Sequence, residues 1–215
     1  MTNYMRQTRI FDPSQSHRSI VIIGAGGIGS FLTFYLAKMG FKDITVFDGD
    51  TVEAHNAPNQ LYGMQHVDKP KVTALAGIVK ALTDVDIKPM NEMVERLDQL
   101  PMDNNAIYVF ALDSLEVRQN LYKQMKGMAN VLVDGRMGGE MYTFYKMDLD
   151  NEEEQKKYEA QLYVTGSEDP CGMRAIIYTL TSLSSDLANL IKRVDAGQHV
   201  PFNVTRSMTK YFYLA

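Results

Sequence analysis

Four glycines, two acids and one lysine in the first 113 residues have the types and spacing to gather a phosphorylated ligand and a metal ion. The apolar run Ile20-Val-Ile-Ile leads into Gly24-Ala-Gly26-Gly27-Ile-Gly29. Glycine lets the main chain approach a ligand closely. A helix starting near residue 27 then aims its unpaired N–H groups and the positive end of its dipole at that ligand. The anion this suits is phosphate, and a nucleotide is the first ligand to expect. A Gly-Gly turn also serves where a helix packs tightly on a strand, so the glycines alone leave both readings open.

Asp48 closes the second apolar run at the distance from the glycines where an acid commonly receives ribose hydroxyls. It equally suits a strand-end turn in Asp48-Gly-Asp50, where Asp50 is the plainer turn residue. Asp113 stands just past the fourth apolar run and projects to the same crest. A carboxylate beside triphosphate oxygens is a natural magnesium ligand, because that ion is usually shared between one or two acids and the phosphates. The other role open to Asp113 is to cap the helix that follows, a contribution of ~1 kcal/mol. Lys71 follows Pro70 at a helix start. A cation there opposes the dipole by ~0.3–1 kcal/mol, which calls for an anionic partner, phosphate among the candidates.

To bring these residues together the chain needs a sheet whose strand ends share one edge. Short apolar runs at 20–24, 43–47, 85–89, 106–111 and 131–134 read as strands, and 27–39, 70–82 and 115–125 as helices, with a short irregular one near 93–97. Such alternation predicts α/β architecture: a Rossmann-like, doubly wound, mainly parallel sheet with its ligand beyond the carboxyl ends of the strands. Past Asp134 the pattern changes. Residues 140–147 alternate as an antiparallel extension would, 151–159 read as a solvated helix or mobile connection, and 201–214 as a last strand. Ile176, Leu180, Leu183, Leu187 and Leu190 form an apolar stripe on a long helix, suited to core or to a subunit interface. One domain is expected over 1–215, with an arm (1–18), a nucleotide-binding core (19–135) and an extension (136–215).

With 22 Lys+Arg against 26 Asp+Glu, the net charge of -4 predicts neither nucleic acid nor an anionic membrane as partner. Residues 19–37 carry no charge, yet their glycines and β-branched start suit a buried strand and helix rather than a span of roughly 20 apolar residues. The single cysteine, Cys171, rules out an internal disulfide, and with no secretory signal in view it predicts a cytoplasmic protein.

The combined pattern resembles the ThiF/MoeB superfamily, the ubiquitin-activating-enzyme-like adenylyltransferases. It comprises the glycine loop, Phe47-Asp-Gly-Asp-Thr-Val-Glu53 with Asn56 and Gln60, Lys69-Pro-Lys71, and Leu112-Asp113 with Arg118, spread over roughly residues 6–195. The resemblance implies ATP- and magnesium-dependent adenylation of a carboxyl group by a homodimer, the substrate being the C-terminus of a ubiquitin-like protein or peptide. It places Gly24, Gly26, Gly27, Gly29, Asn59 and Gln60 around the nucleotide, Asp48 on the ribose, Asn56 and Lys71 near the phosphates, and Asp113 on magnesium. Arg9, with Arg6 in reserve, would reach the other subunit's ATP or else serve as a surface cation.

Two departures stand out. Asn59 occupies a position where many members carry arginine, and loss of such a donor commonly costs about 2.7–4 kcal/mol of transition-state stabilisation. The paired Cys-x-x-Cys motifs of many relatives are missing, so no zinc is expected. Cys171 matches a cysteine that becomes linked to the modifier in some members; a helix N-terminus and Arg174 would favour its thiolate, while a small buried apolar side chain is the alternative. Arg136 has no assigned role. Two other functions fit parts of the pattern: a weakly catalytic module that binds a ubiquitin-like protein, favoured by Asn59, and a nicotinamide-dependent oxidoreductase, to which Lys71 and Asp113 are surplus.

Overall fold

The computed structural model describes residues 2–162 and 175–209. Its elements run β1 (Ile20–Ile23), α1 (Gly27–Met39), β2 (Ile44–Phe47), α2 (Lys71–Thr83), β3 (Lys88–Met90), β4 (Ile107–Phe110), α3 (Leu115–Met125), β5 (Val131–Gly138), β6 (Met141–Asp148), α4 (Glu152–Leu162), α5 (Ile177–Asp195) and β7 (Asn203–Ser207). Strand order is β3-β2-β1-β4-β5-β6-β7. The first five strands pair in parallel, and β6 and β7 extend the sheet antiparallel. This is the expected doubly wound fold with an antiparallel extension.

β1 is central, paired with β2 on one side and β4 on the other, so the chain reverses its winding direction there. A crevice opens where adjacent loops leave such a switch point in opposite directions. Residues alternate between two cores. Ile22, Leu32, Val46, Leu75, Leu183 and Leu187 fill the layer under α1, α2 and α5. Val21, Ile23, Phe110, Leu121, Tyr122 and Tyr158 fill the layer under α3 and α4. No helix among the described residues is long and apolar enough to cross a membrane.

Several elements differ from the sequence reading. The third strand begins at Lys88 rather than 85, because Asp84 adopts a left-handed conformation (φ 66°) to end α2 and Thr83 Oγ1 accepts from Val85 N. Val85 and Ile87 therefore sink into the core as a connection. β5 runs four residues past Asp134 and turns at Gly139 (φ 61°) straight into β6. The charged stretch after Asn151 is a helix with one buried face, where Gln155, Tyr158 and Leu162 are inaccessible. Of the leucine stripe, Leu180, Leu183, Leu187 and Leu190 are core, while Ile176 sits exposed at the helix cap. β7 covers part of the last predicted strand; Cys171, Arg174 and residues beyond 209 lie outside the described residues.

The N-terminal arm docks at the end of the sheet opposite the strand carboxyl termini. Phe11 stacks on Phe41 (4.8 Å), Gln7 Nε2 donates to Met39 O (2.6 Å), and Thr2 Oγ1 donates to Thr83 O (3.0 Å). Gly40 (φ 100°) makes room for this, since a Cβ there would lie 2.7 Å from Pro13.

Candidate active site

The glycine loop is shaped by contacts that exclude side chains. A Cβ on Gly24 (φ 105°) would stand 2.4 Å from Ala111 O, and one on Gly29 would stand 1.8 Å from Gly24 O. The ends of β1 and β4 and the start of α1 therefore touch backbone to backbone. Gly26 differs. A Cβ there would meet nothing within 4 Å, and as the cap residue of α1 it leaves the helix N-terminus without a side-chain acceptor. Tight packing thus explains Gly24 and Gly29, whereas Gly26 faces open space at a helix N-terminus, where an anion is favoured.

Behind the loop, two side chains hold one peptide unit on each side of Ala25. Asp48 Oδ2 accepts from Ala25 N (2.7 Å), and Tyr62 Oη donates to Ala25 O (2.7 Å). Asp48 Oδ1 also accepts from Asp50 N (2.9 Å), so the strand-end turn and the glycine loop share one carboxylate. Tyr62 was not foreseen from the sequence; a tyrosine just after a polar turn is the signal that could have marked it. Burial raises the Tyr62 hydroxyl's pKa, with the Asp48 charge adding to the effect.

Asp48 is 9% exposed, and burial raises its pKa against the opposing effects of the Ala25 N–H and the Lys71 charge. A carboxyl whose folded pKa exceeds its unfolded one contributes stability that is complete below the unfolded value near ~3.9 and is lost as pH rises through the folded value. The difference in unfolding free energy between the native chain and Asp48→Asn is accordingly expected to move in the variant's favour as pH rises from about 4. Urea titrations across pH measure this, and a pH-independent difference would contradict it.

Lys71 has its anionic partner within the chain. Its Nζ lies 2.7 Å from Asp50 Oδ2, its backbone N donates to Asp50 O (2.9 Å), and Thr51 bridges Pro70. The sequence reading of Asp50 as a plain turn residue is therefore corrected: it is the counter-ion that holds Lys71 at the crest. Pro70 caps α2, and Lys71 is its first residue. The lysine is 8% exposed, while the Asp50 side chain is 58% exposed, so the pair opens to solvent on the acid's side.

Asn56 Oδ1 accepts from Glu53 N (2.8 Å) and its backbone carbonyl from Asn59 N and Gln60 N, which folds the turn around residues 54–60. Asn59 O lies 3.1 Å from where a Gly27 Cβ would be, placing this turn against the glycine loop. Gln60 Oε1 is buried with no hydrogen-bond partner. An orphaned amide oxygen in the turn that packs against the glycine loop is a group that a donor on a bound ligand would satisfy.

Asp113 follows β4, two residues beyond the Ala111 carbonyl that Gly24 touches. Ser114, not Asp113, caps α3, its side chain accepting from Val117 N (3.2 Å). Asp113 is exposed and makes no ion pair among the described residues. No cluster of three or more His, Cys, Asp or Glu exists among those residues. A lone free carboxylate at the crest fits magnesium, which takes few protein ligands and draws the rest from phosphates and water.

Arg9 and Arg6 are exposed on the arm. Gln7 is tied to the C-terminal end of α1, whose 13 residues separate it from the glycines by about 20 Å. Within one chain the arginines therefore do not join the crest. Arg136, half-buried, is engaged within the chain: Nε lies 2.7 Å from Asp134 Oδ2, Nη1 donates to Gln161 O (3.2 Å), and its guanidinium packs 4.8 Å from the Tyr145 ring.

Residues 6–195 match the model of the ThiF family. The chain belongs to the ThiF family. Over 127 residues this ThiF-family chain is 30% identical to the NEDD8-activating enzyme E1 catalytic subunit of Schizosaccharomyces pombe, covering 56% of the chain and 29% of that protein. It is 29% identical over 132 residues to the molybdopterin-synthase adenylyltransferase of Haemophilus influenzae, covering 58% and 54% respectively. Among solved structures, E. coli MccB crystallised with AMPCPP and MccA superposes with a TM-score of 0.73 at 14% identity, over 92% of this chain and 63% of MccB. PaaA superposes with a TM-score of 0.73 at 18% identity, over 93% and 64%. These superpositions show a shared fold. The ThiF-family chain spans less than two thirds of each of these proteins.

Proposed function

We propose that this chain is an ATP- and magnesium-dependent adenylating domain acting on the C-terminal carboxylate of a ubiquitin-like protein or peptide. The observation that carries the reading is the open Gly26 at the start of α1, flanked on one sheet edge by Asp48, Lys71 and Asp113. Family membership supports the same chemistry, since relatives are named adenylyltransferases. One is named for activating NEDD8, and MccB was crystallised with AMPCPP and MccA, which motivates a protein or peptide carboxylate as substrate.

A carboxylate is already ionised at neutral pH, so the nucleophile needs no general base. The barrier is repulsion between two anions. One carboxylate oxygen attacks the α-phosphorus in line, the bond to the bridging oxygen of the β-phosphate breaks, and pyrophosphate departs with that electron pair, leaving an acyl-adenylate. Gly26 and the α1 N-terminus cradle the phosphates, Asp48 accepts from the ribose, and Lys71 neutralises charge that grows in the transition state. Asp113 and the phosphates would hold magnesium, which supplies Lewis-acid stabilisation when bound. Arg9 would complete the site from a second copy in a homodimer, and Cys171 would accept the acyl group in a later step. A cytoplasmic setting follows the same reading.

ATP–pyrophosphate exchange that depends on a carboxyl partner, followed by intact-mass analysis of the mixture, tests the proposal. An adenylate in both native and Cys171→Ala protein, with a covalent adduct in the native alone, supports it in full. Tight partner binding with no exchange would instead favour the non-catalytic module, for which Asn59 in place of arginine is the specific argument.

A further inference from the structure

Beneath the crest, on the α3/α4 side, Asp134 in the middle of β5, where its pairing with β4 ends, is completely buried among three donors. Arg118 of α3 pairs with Oδ1, while Arg136 Nε (2.7 Å) and Tyr158 Oη (2.8 Å) both reach Oδ2. Arg118 is itself buried. Removing two guanidinium groups and a carboxylate from water costs free energy that pairing often only offsets, and an apolar cluster of similar volume is commonly as stable or more so. Stability is therefore a poor explanation for this cluster.

Its contacts suggest what it fixes. The second arm of the Arg118 guanidinium donates to Leu112 O, the carbonyl directly before Asp113. On the other side, Arg136 Nη1 holds Gln161 O in the last turn of α4, with its guanidinium 4.8 Å from the Tyr145 ring and 5.2 Å from the Tyr158 ring. Gln119, the neighbour of Arg118, donates to Leu162 O (3.1 Å). One carboxylate thus ties the loop carrying the free acid at the crest to the end of α4.

We propose that Asp134 is a positioning residue: through Arg118 it sets the β4–α3 loop so that Asp113 meets the metal–nucleotide, and through Arg136 and Tyr158 it locks that setting to α4. Only a planar guanidinium can hold the carbonyl and the carboxylate at once; a lysine ammonium is a point charge without that fork. The inference rests on the proposed adenylation site.

The test compares native protein with Arg118→Lys, Tyr158→Phe and the apolar pair Arg118→Met/Asp134→Leu. Two quantities are read: hydrogen exchange of the amides of residues 113–117, and Mn2+ affinity in the presence of AMPCPP by electron paramagnetic resonance. In Arg118→Lys and the apolar pair, exchange at 113–117 is expected to quicken at least tenfold and Mn2+ affinity to fall at least fivefold. The apolar pair should stay folded, with a Tm lowered by the loss of the acceptor of Tyr158 Oη and Arg136 Nε, and Tyr158→Phe should show the same changes in smaller degree. Unchanged exchange and Mn2+ affinity in a folded variant would overturn the proposal, as would loss of protection spread evenly over the sheet. If the native chain binds Mn2+–AMPCPP but catalyses no pyrophosphate exchange, the adenylation reading fails while the positioning role is still decided by these two readouts.

Discussion

Gly29→Ala is expected to destabilise the fold by about 3 kcal/mol or more, lowering Tm by about 6–12 °C, because the new methyl would lie 1.8 Å from the Gly24 carbonyl oxygen. That oxygen cannot retreat, since Gly24 is itself pressed against Ala111 O with a left-handed φ of 105°. Gly26→Ala is expected to behave oppositely. Its Cβ enters open space, so Tm should stay within about 3 °C of the native value. On the proposed reading the methyl would stand in the path of the nucleotide phosphates at the start of α1, and ATP affinity should fall at least about tenfold, or about 1.4 kcal/mol. Differential scanning fluorimetry with and without ATP–magnesium reads both effects. Equal loss of Tm in the two variants would mean that both glycines serve packing alone.

Lys71→Met should slow partner-dependent pyrophosphate exchange by about 10²–10³-fold, the range for removing one preorganised transition-state donor. Methionine retains the buried stem, and the abandoned Asp50 side chain is 58% exposed and can be hydrated. Stability should therefore change by less than about 1 kcal/mol. Asp50→Asn sharpens the test: it keeps the lysine charge, so exchange should stay within about tenfold of native, a difference of about 1.4 kcal/mol. If both variants lose activity equally, the ion pair shapes the turn and the ammonium does not serve phosphate.

Much of the architecture could be read from residue patterns. Short β-branched runs separated by helices of period 3.6 leave few chain paths, because parallel strands need right-handed crossovers. The strand that was misplaced, β3, has the weakest pattern: Val85 and Ile87 are apolar because they are core, but they are buried without pairing. Similarly, the charge of residues 151–159 is compatible with a solvated helix but hides its buried face, which consists of a glutamine and a tyrosine, with a leucine following at 162.

What the sequence by itself determined was the row of candidates: glycines after β1, acids after β2 and β4, a lysine opening α2. Their order along the chain is enough, since in a doubly wound sheet every such position falls at the same edge. Which glycine faces open space and which faces backbone, that Asp50 balances Lys71, that Asp48 and Tyr62 hold the peptide units on either side of Ala25, and that Asp134 joins Arg118 to Arg136 were decided by the tertiary structure alone. Those are contacts between residues far apart in the chain, such as Gly24 and Ala111, set by how adjacent strand ends and helices meet in space, and no local periodicity encodes them.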